Sequence, residues 1–266
     1  MATKMDENKF KEKLDKIDLL KSEMDKLGVI DPAQQKNIDD WYRVELAYTS
    51  NALEGSTLSR QETAQVIEKD ISVEGKSLKE LIEAKNHAEA SDFVLRFIRD
   101  NKTRQAIDLK TILDIHGMIL AKIDEPNAGR LRTFPVRVTG STSIMPNSAK
   151  VPELMEALIS WLHEDHVHPV AKAVDAHYRL VSIHPFSDGN GRTARLLMNA
   201  ILMQNGFSPL VIPKEARKGY VTSLEKAQTK QDTEDYYVFM LDRMIESMED
   251  YIKARKGDVE FTPWFG

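Results

Sequence analysis

The chain has no cysteine in 266 residues. That excludes disulfides, thiolate nucleophiles and cysteine-ligated zinc or iron–sulfur centres. Glycine and proline are scarce, at 12 and 10 residues, where an average composition would hold roughly 12% of the two together. Few enforced turns favour helices. No run approaches the roughly 18 apolar residues of a membrane span, and Met1 to Asp15 is charged throughout, with no apolar leader core. Neither sign of charge dominates: 37 Lys and Arg against 42 Asp and Glu leave −5, which argues against bulk affinity for nucleic acid but leaves room for a local basic pocket. Hydrophobic residues at 41% and charged residues at 30% describe an ordinary soluble protein, and the length admits one large domain or two small ones. These absences predict a cytoplasmic, mostly helical protein with no membrane partner and no direct nucleic-acid binding.

Helical spacing recurs along the chain. Phe10, Leu14, Ile17, Leu20, Met24 and Leu27 step by three or four before Gly28. Asp31-Pro32 reads as N-cap and first helical position, with Gln34 completing a capping box. Trp41, Val44 and Tyr48 carry the apolar face of that helix. Ser59 with Glu62 and Ser77 with Glu80 are further capping boxes, and Asp108 caps a helix that holds Leu113 and His116. The pattern breaks between Gly129 and Pro152. Residues 134–140 alternate with period two and Ser141-Thr142-Ser143 supplies a turn, which predicts a short β-hairpin. Helices return over Leu154–Leu162, Ala171–Ile183, Arg192–Gln204, Lys214–Ala227 and Thr233–Lys253. The expected organisation is a helical extension over residues 1–30, one all-α domain over 31–256, and a tail over 257–266.

The informative stretch runs from His184 to Arg195: His-Pro-Phe-Ser-Asp-Gly-Asn-Gly-Arg-Thr-Ala-Arg. Pro185 disfavours helical geometry at His184, so the imidazole stands at a helix end. Gly189 and Gly191 let successive amide groups point into one concavity at the start of the next helix, an anion site suited to phosphates. Arg192 and Arg195, three apart, are expected to reach the same anion from one helix face. Asp188 beside phosphates calls for an intervening cation, and Mg²⁺ held by one carboxylate plus phosphates and waters fits. His184 can take a proton from an incoming hydroxyl. Together these are the parts for group transfer from a nucleoside triphosphate. Eight specified positions in one window would agree by chance on the order of 10⁻¹⁰ of the time, at about 5% per residue type.

These residues resemble the signature of the Fic family, His-x-Phe-x-(Asp or Glu)-Gly-Asn-Gly-Arg-x-x-Arg, and match it throughout. The likeness extends from about Tyr48 to Ile245 and includes His177-Tyr178-Arg179-Leu180-Val181 and Pro213-Lys214-Glu215-Ala216-Arg217. It is most similar to the animal endoplasmic-reticulum members. The resemblance implies a helical bundle with a β-hairpin flap over about residues 130–147. It also implies transfer of AMP from MgATP to a Ser, Thr or Tyr hydroxyl of a protein, the chain itself included. Carried over by position, His184 would be the general base and Asp188 the Mg²⁺ ligand. Gly189, Asn190 and Gly191 would form the hole for the α- and β-phosphates, Arg192 would hold phosphate, and Arg195 the γ-phosphate. Val138, Thr139 and Gly140 would register the target by strand addition. Tyr220 and Gln228 fall at nucleoside-contact positions, Gln228 where relatives carry Asn.

Ser50-Asn51-Ala52-Leu53-Glu54-Gly55 matches the family's inhibitory pattern, (Ser or Thr)-x-x-x-Glu-(Gly or Asn), in a helix over about residues 40–55. Ser50, Glu54 and Gly55 are its specified positions. Glu54 paired with Arg195 would take the guanidinium meant for the γ-phosphate. In the animal members this glutamate also positions water to remove AMP, so a de-AMPylating phosphodiesterase is an alternative. A non-catalytic regulator that binds nucleotide or a partner is another; relatives often dimerise, so the resemblance admits a homodimer without fixing the oligomeric state. Three features read as structural. His163, His166 and His168 lack the spacing of a helical metal site, and His87 and His116 fall at core edges. Asn101-Lys102-Thr103 is a formal glycosylation sequon that would need a secretion signal.

Overall fold

The computed structural model describes residues 7–99, 106–138, 141–164 and 167–257. Among the described residues it holds ten α-helices and no strand. They are α1 (Glu7–Lys26), α2 (Pro32–Leu53), α3 (Arg60–Lys69), α4 (Leu78–Arg99) and α5 (Leu109–Leu120), followed by α6 (Val151–Leu162), α7 (Pro169–Ile183), α8 (Asn190–Gln204), α9 (Arg217–Lys230) and α10 (Glu234–Lys256). Their ends are set locally. Asp31 accepts from the Ala33 and Gln34 amides. Ser59 and Glu62 form a reciprocal box, as do Ser77 and Glu80, and Asp108 accepts from the Thr111 amide. The box expected at Asp31 is half made. The Gln34 amide group reaches the Arg255 carbonyl instead of turning back to its own cap.

The centre of the bundle is α8, which is buried around most of its circumference and packs most closely against α7. A helix that is covered on every side reads as a core element. Leu196, Leu197, Met198 and Leu202 are apolar contributions to that core. The same helix carries Asn190, Arg192, Arg195 and Asn199 into the interior, and each needs a partner there because a buried unpaired charge or amide is costly. Those partners build the site. On the outside, α1 lies along α10, tied by Lys16–Glu249 and Lys256–Glu23 pairs. Ile17 and Met24 of α1 enter the main core, so its apolar seam is covered within the chain.

The expected β-hairpin is not formed among the described residues. Pro135 and Pro146 lack the amide hydrogens a ladder needs, and the two limbs are joined by a side chain instead. Arg132, 3% exposed, donates to the carbonyls of Phe134 (3.1 Å), Pro146 (2.7 Å) and His184 (2.7 Å). Ser148 adds a bond to the Thr133 carbonyl. The result is a clamped loop beside α7 and α9, with Thr142 held by Glu225.

Candidate active site

Helix α7 ends at Ile183, and His184 follows in the left-handed region at φ +50. The proline that follows bars continuation of the right-handed helix, and the His184 amide closes α7 on the Leu180 carbonyl as a left-handed cap. One ring nitrogen of His184 is bonded to the Val181 backbone, and burial lowers the imidazole pKa below its ordinary value. The ring is therefore neutral near pH 7, with its second nitrogen bare, which is the form a general base requires.

The turn from His184 into α8 is held by two side chains. Asn190 accepts from the Phe186 amide and donates to the Phe186 carbonyl, both at 2.9 Å. Its amide group is thus spent on the loop, and only its backbone faces the concavity. His116 stacks on Phe186 with centroids 3.6 Å apart. Its Nδ1 accepts from Gly129 N at 3.0 Å, so Nε2 carries the proton and donates to the Asp188 carbonyl at 3.0 Å. His116 is fully buried, deeper than the core edge its helical position suggested, and it braces the loop from below. Sequence spacing gave no sign of that contact, which spans 72 positions.

Gly189 stands at φ +75 and begins α8. Gly191, the second residue of α8, lies beneath the Glu54 carboxylate: a Cβ there would come within 2.5 Å of Glu54 Oε1 and 3.0 Å of Arg195 Nη1. The free amides of the first helical turn and the positive end of its dipole make this an anion seat. A carboxylate of the chain itself occupies it.

Glu54 is placed there by the end of α2. The Gly55 and Ser56 amides bond back to the Ala52 and Asn51 carbonyls, and Gly55 takes φ +104, which is a Schellman stop. The Leu53 carbonyl is capped by Arg217 Nε at 2.8 Å. Glu54 Oε1 lies 2.7 Å from Arg195 Nη2, while Ser50 accepts from Arg195 through both its hydroxyl and its carbonyl at 3.0 Å. Burial works against the Arg195 charge, yet Glu54 and Tyr220 together hold its pKa above the usual value.

Arg192 and Arg195 do not converge on one anion. Arg192 is 3% exposed and turns to α4, where Glu83 accepts at 2.8 Å, with Asp188 at a longer 3.4 Å. Residues three apart diverge here because α2 and α4 flank α8 on different sides and each offers a carboxylate. Glu83 lies 109 positions away in sequence, and the sequence reading did not include it.

Around this centre is a cavity of about 230 Å³. His184, Gly191, Arg195, Glu54, Val138, Tyr220 and Gln228 are among the residues that line it. Tyr220 directs its hydroxyl into the bundle, and Gln228 donates to Ser182 at 3.3 Å. Thr139 and Gly140 lie outside the described residues, as do His166 and the sequon at Asn101. Of the neighbouring histidines, His163 caps α6 and bonds the Ile107 backbone, and His168 caps α7. Cavities of about 250 Å³ and 570 Å³ elsewhere do not combine a base, an arginine and a glycine nest.

Asp188, in the turn just before α8, is half exposed, and its Oδ1 accepts from the Gly189 amide at 2.6 Å. Among the described residues no group of three or more His, Asp or Glu gathers as a metal cage. A lone hard-oxygen carboxylate beside an anion seat fits Mg²⁺, which keeps most of its shell as water and phosphate.

A left-handed histidine, a glycine-started buried helix and a glutamate lodged over that helix mark a helical fold whose anion seat is closed from within. The chain belongs to the Fic/DOC family, whose model matches residues 106–202. It is 35% identical to protein adenylyltransferase fic-1 of Caenorhabditis elegans over 81% of this chain and 44% of that protein. It is 36% identical to protein adenylyltransferase Fic of Drosophila virilis over 78% and 42%. The chain thus spans less than half the length of these curated relatives. A structure of Fic-1 from C. elegans superposes with a TM-score of 0.80 at 29% identity, covering 93% of this chain and 74% of that one. A Fic domain containing signalling protein from Bacteroides thetaiotaomicron gives 0.81 at 27%, covering 91% and 97%. Among the described residues no helix is long and apolar enough to cross a membrane.

Proposed function

We propose that the chain is a protein adenylyltransferase, transferring AMP from MgATP to a hydroxyl side chain of a protein and held inactive by Glu54. The observation that carries this reading is the Glu54 carboxylate lying over Gly191 and paired with Arg195, where a phosphate would sit. The target hydroxyl gives its proton to the bare nitrogen of His184 as its oxygen bonds to the α-phosphorus. The bond from that phosphorus to the bridging oxygen breaks, and pyrophosphate leaves. The amides at the start of α8 bind the phosphate oxygens, and Arg195 grips the far phosphate once Glu54 has turned away. Mg²⁺, held by Asp188, would supply charge neutralisation between the phosphates. The loop from Arg130 to Asn147, clamped by Arg132, would lie along the target segment.

Incubation with labelled ATP and Mg²⁺ tests this directly. Glu54→Gly should raise labelling about ten- to hundredfold, the equivalent of removing a competing ion pair of roughly 1–3 kcal/mol. Glu54→Gly with His184→Ala should return it to background. Labelling unchanged by the first substitution refutes the brake, and labelling that survives the second refutes the base. A second reading is favoured by the position of Glu54, half exposed in the same cavity as His184. There its carboxylate can direct water at an AMP-modified target. Loss of AMP release from a premodified protein in Glu54→Gly would support that activity.

A further inference from the structure

Behind Arg195, away from α2, buried polar groups stand in single file. Arg195 Nη1 faces the Tyr220 hydroxyl at 3.5 Å. That hydroxyl lies 2.9 Å from His177 Nε2. His177 Nδ1 lies 2.7 Å from the Tyr236 hydroxyl, which meets the Val174 carbonyl at 3.2 Å. Tyr220 is 4% exposed, and His177 and Tyr236 are fully buried. The three side chains come from α9, α7 and α10.

Each proton has one place to go. A guanidinium only donates, so the Tyr220 oxygen accepts on that side. A carbonyl only accepts, so the Tyr236 proton points to Val174 and the Tyr236 oxygen takes the Nδ1 proton of His177. Burial pushes the His177 pKa down to about 3, so the ring is neutral and Nε2 is bare. It therefore accepts the Tyr220 proton. The reverse order would aim a hydroxyl proton at the Arg195 cation and leave the Val174 carbonyl facing a lone pair.

We propose that His177 and Tyr236 are positioning residues for Arg195. They fix the Tyr220 oxygen as an acceptor toward the guanidinium, so that Arg195 keeps its aim on the anion seat when Glu54 leaves. This rests on the reading of Arg195 as the group that grips the far phosphate. Ser50 and Glu54, the other partners of Arg195, belong to the last turn of α2 and to its C-cap. Tyr220 is the partner supplied by the body of the bundle.

Two measurements test it. Nitrogen-15 spectra of the imidazoles should show His177 neutral and protonated at Nδ1 at pH 7, and shifted to the Nε2-protonated form in Tyr236→Phe. An Nε2-protonated ring in the unsubstituted protein overturns the proposal. Calorimetric titration with ATP and with ADP then follows in the Glu54→Gly background. Tyr236→Phe and, separately, Tyr220→Phe should weaken ATP binding about fivefold, the scale of one long charge-assisted bond, with ADP affinity unchanged. An equal loss for both nucleotides, or no loss for ATP, overturns it. If Tyr236→Phe does not fold, Tyr220→Phe decides the binding arm. If Glu54→Gly binds neither nucleotide, the transferase reading fails, and the spectra still decide the direction of the file.

Discussion

Asn190 and Gly191 are adjacent, and their side-chain positions do different work. The Asn190 amide staples Phe186 at both its amide and its carbonyl, so Asn190→Ala leaves two buried backbone groups unpaired. A loss of about 2–4 kcal/mol is expected from denaturant midpoints. Gly191 needs no unusual backbone angle; what it lacks is a Cβ where the Glu54 carboxylate sits. Gly191→Ala should therefore hold its thermal midpoint to within a few degrees, because alanine suits a helix and Glu54 can yield. Nucleotide affinity in the Glu54→Gly background should nevertheless fall at least about tenfold, as the methyl group fills the seat. Spacing alone marks both as parts of a glycine-flanked turn into a helix. The division between staple and seat was not legible, because it depends on where Phe186 and Glu54 arrive in space.

For the helices, the local signals read well. Ser59 with Glu62, Ser77 with Glu80 and Asp108 act on groups three residues away, so spacing alone reveals them. The loop after α5 did not. Its alternation survives as half-buried Val136 and Val138 beside exposed Pro135 and Arg137, yet no ladder forms among the described residues, where Arg132 supplies donors that the prolines cannot. Arg132→Ala should free both limbs. Limited proteolysis between about residues 133 and 146 is expected to accelerate several-fold, and modification of a protein target to fall more than nucleotide binding does. Uncoupled loop and bundle behaviour of this kind follows from a segment in which one side chain makes most of the bonds between the two limbs and the bundle.

Among the described residues the bundle buries three histidines in its interior, His87, His116 and His177. Burial drives their pKa values down to about 3, 4 and 3. Each is neutral when folded and takes up a proton near pH 6.5 when unfolded, so the stability they contribute is complete above that pH and declines toward pH 4. The slope approaches about 1.4 kcal/mol per pH unit for each ring. Glu45 and Glu68, whose pKa values are raised by burial, act in the opposite sense. Going from pH 7 to pH 5 should still cost at least about 3 kcal/mol by denaturant titration. Equal midpoints at the two pH values would contradict the buried neutral rings. Composition showed seven histidines but not which were interior, since that is decided by contacts such as Tyr220 and Tyr236 at 43 and 59 positions from His177.

The last turn of α2 is bolted down twice apart from Glu54, by Arg217 on the Leu53 carbonyl and by Ser50 on Arg195. Release of the glutamate therefore asks for a swing about its own bonds, with the helix staying where it is. Such a latch opens on the time scale of a side chain and carries no refolding step. If the proposed transfer is right, the resting chain should accordingly leak, turning over at the few-per-cent level that a half-solvated ion pair permits.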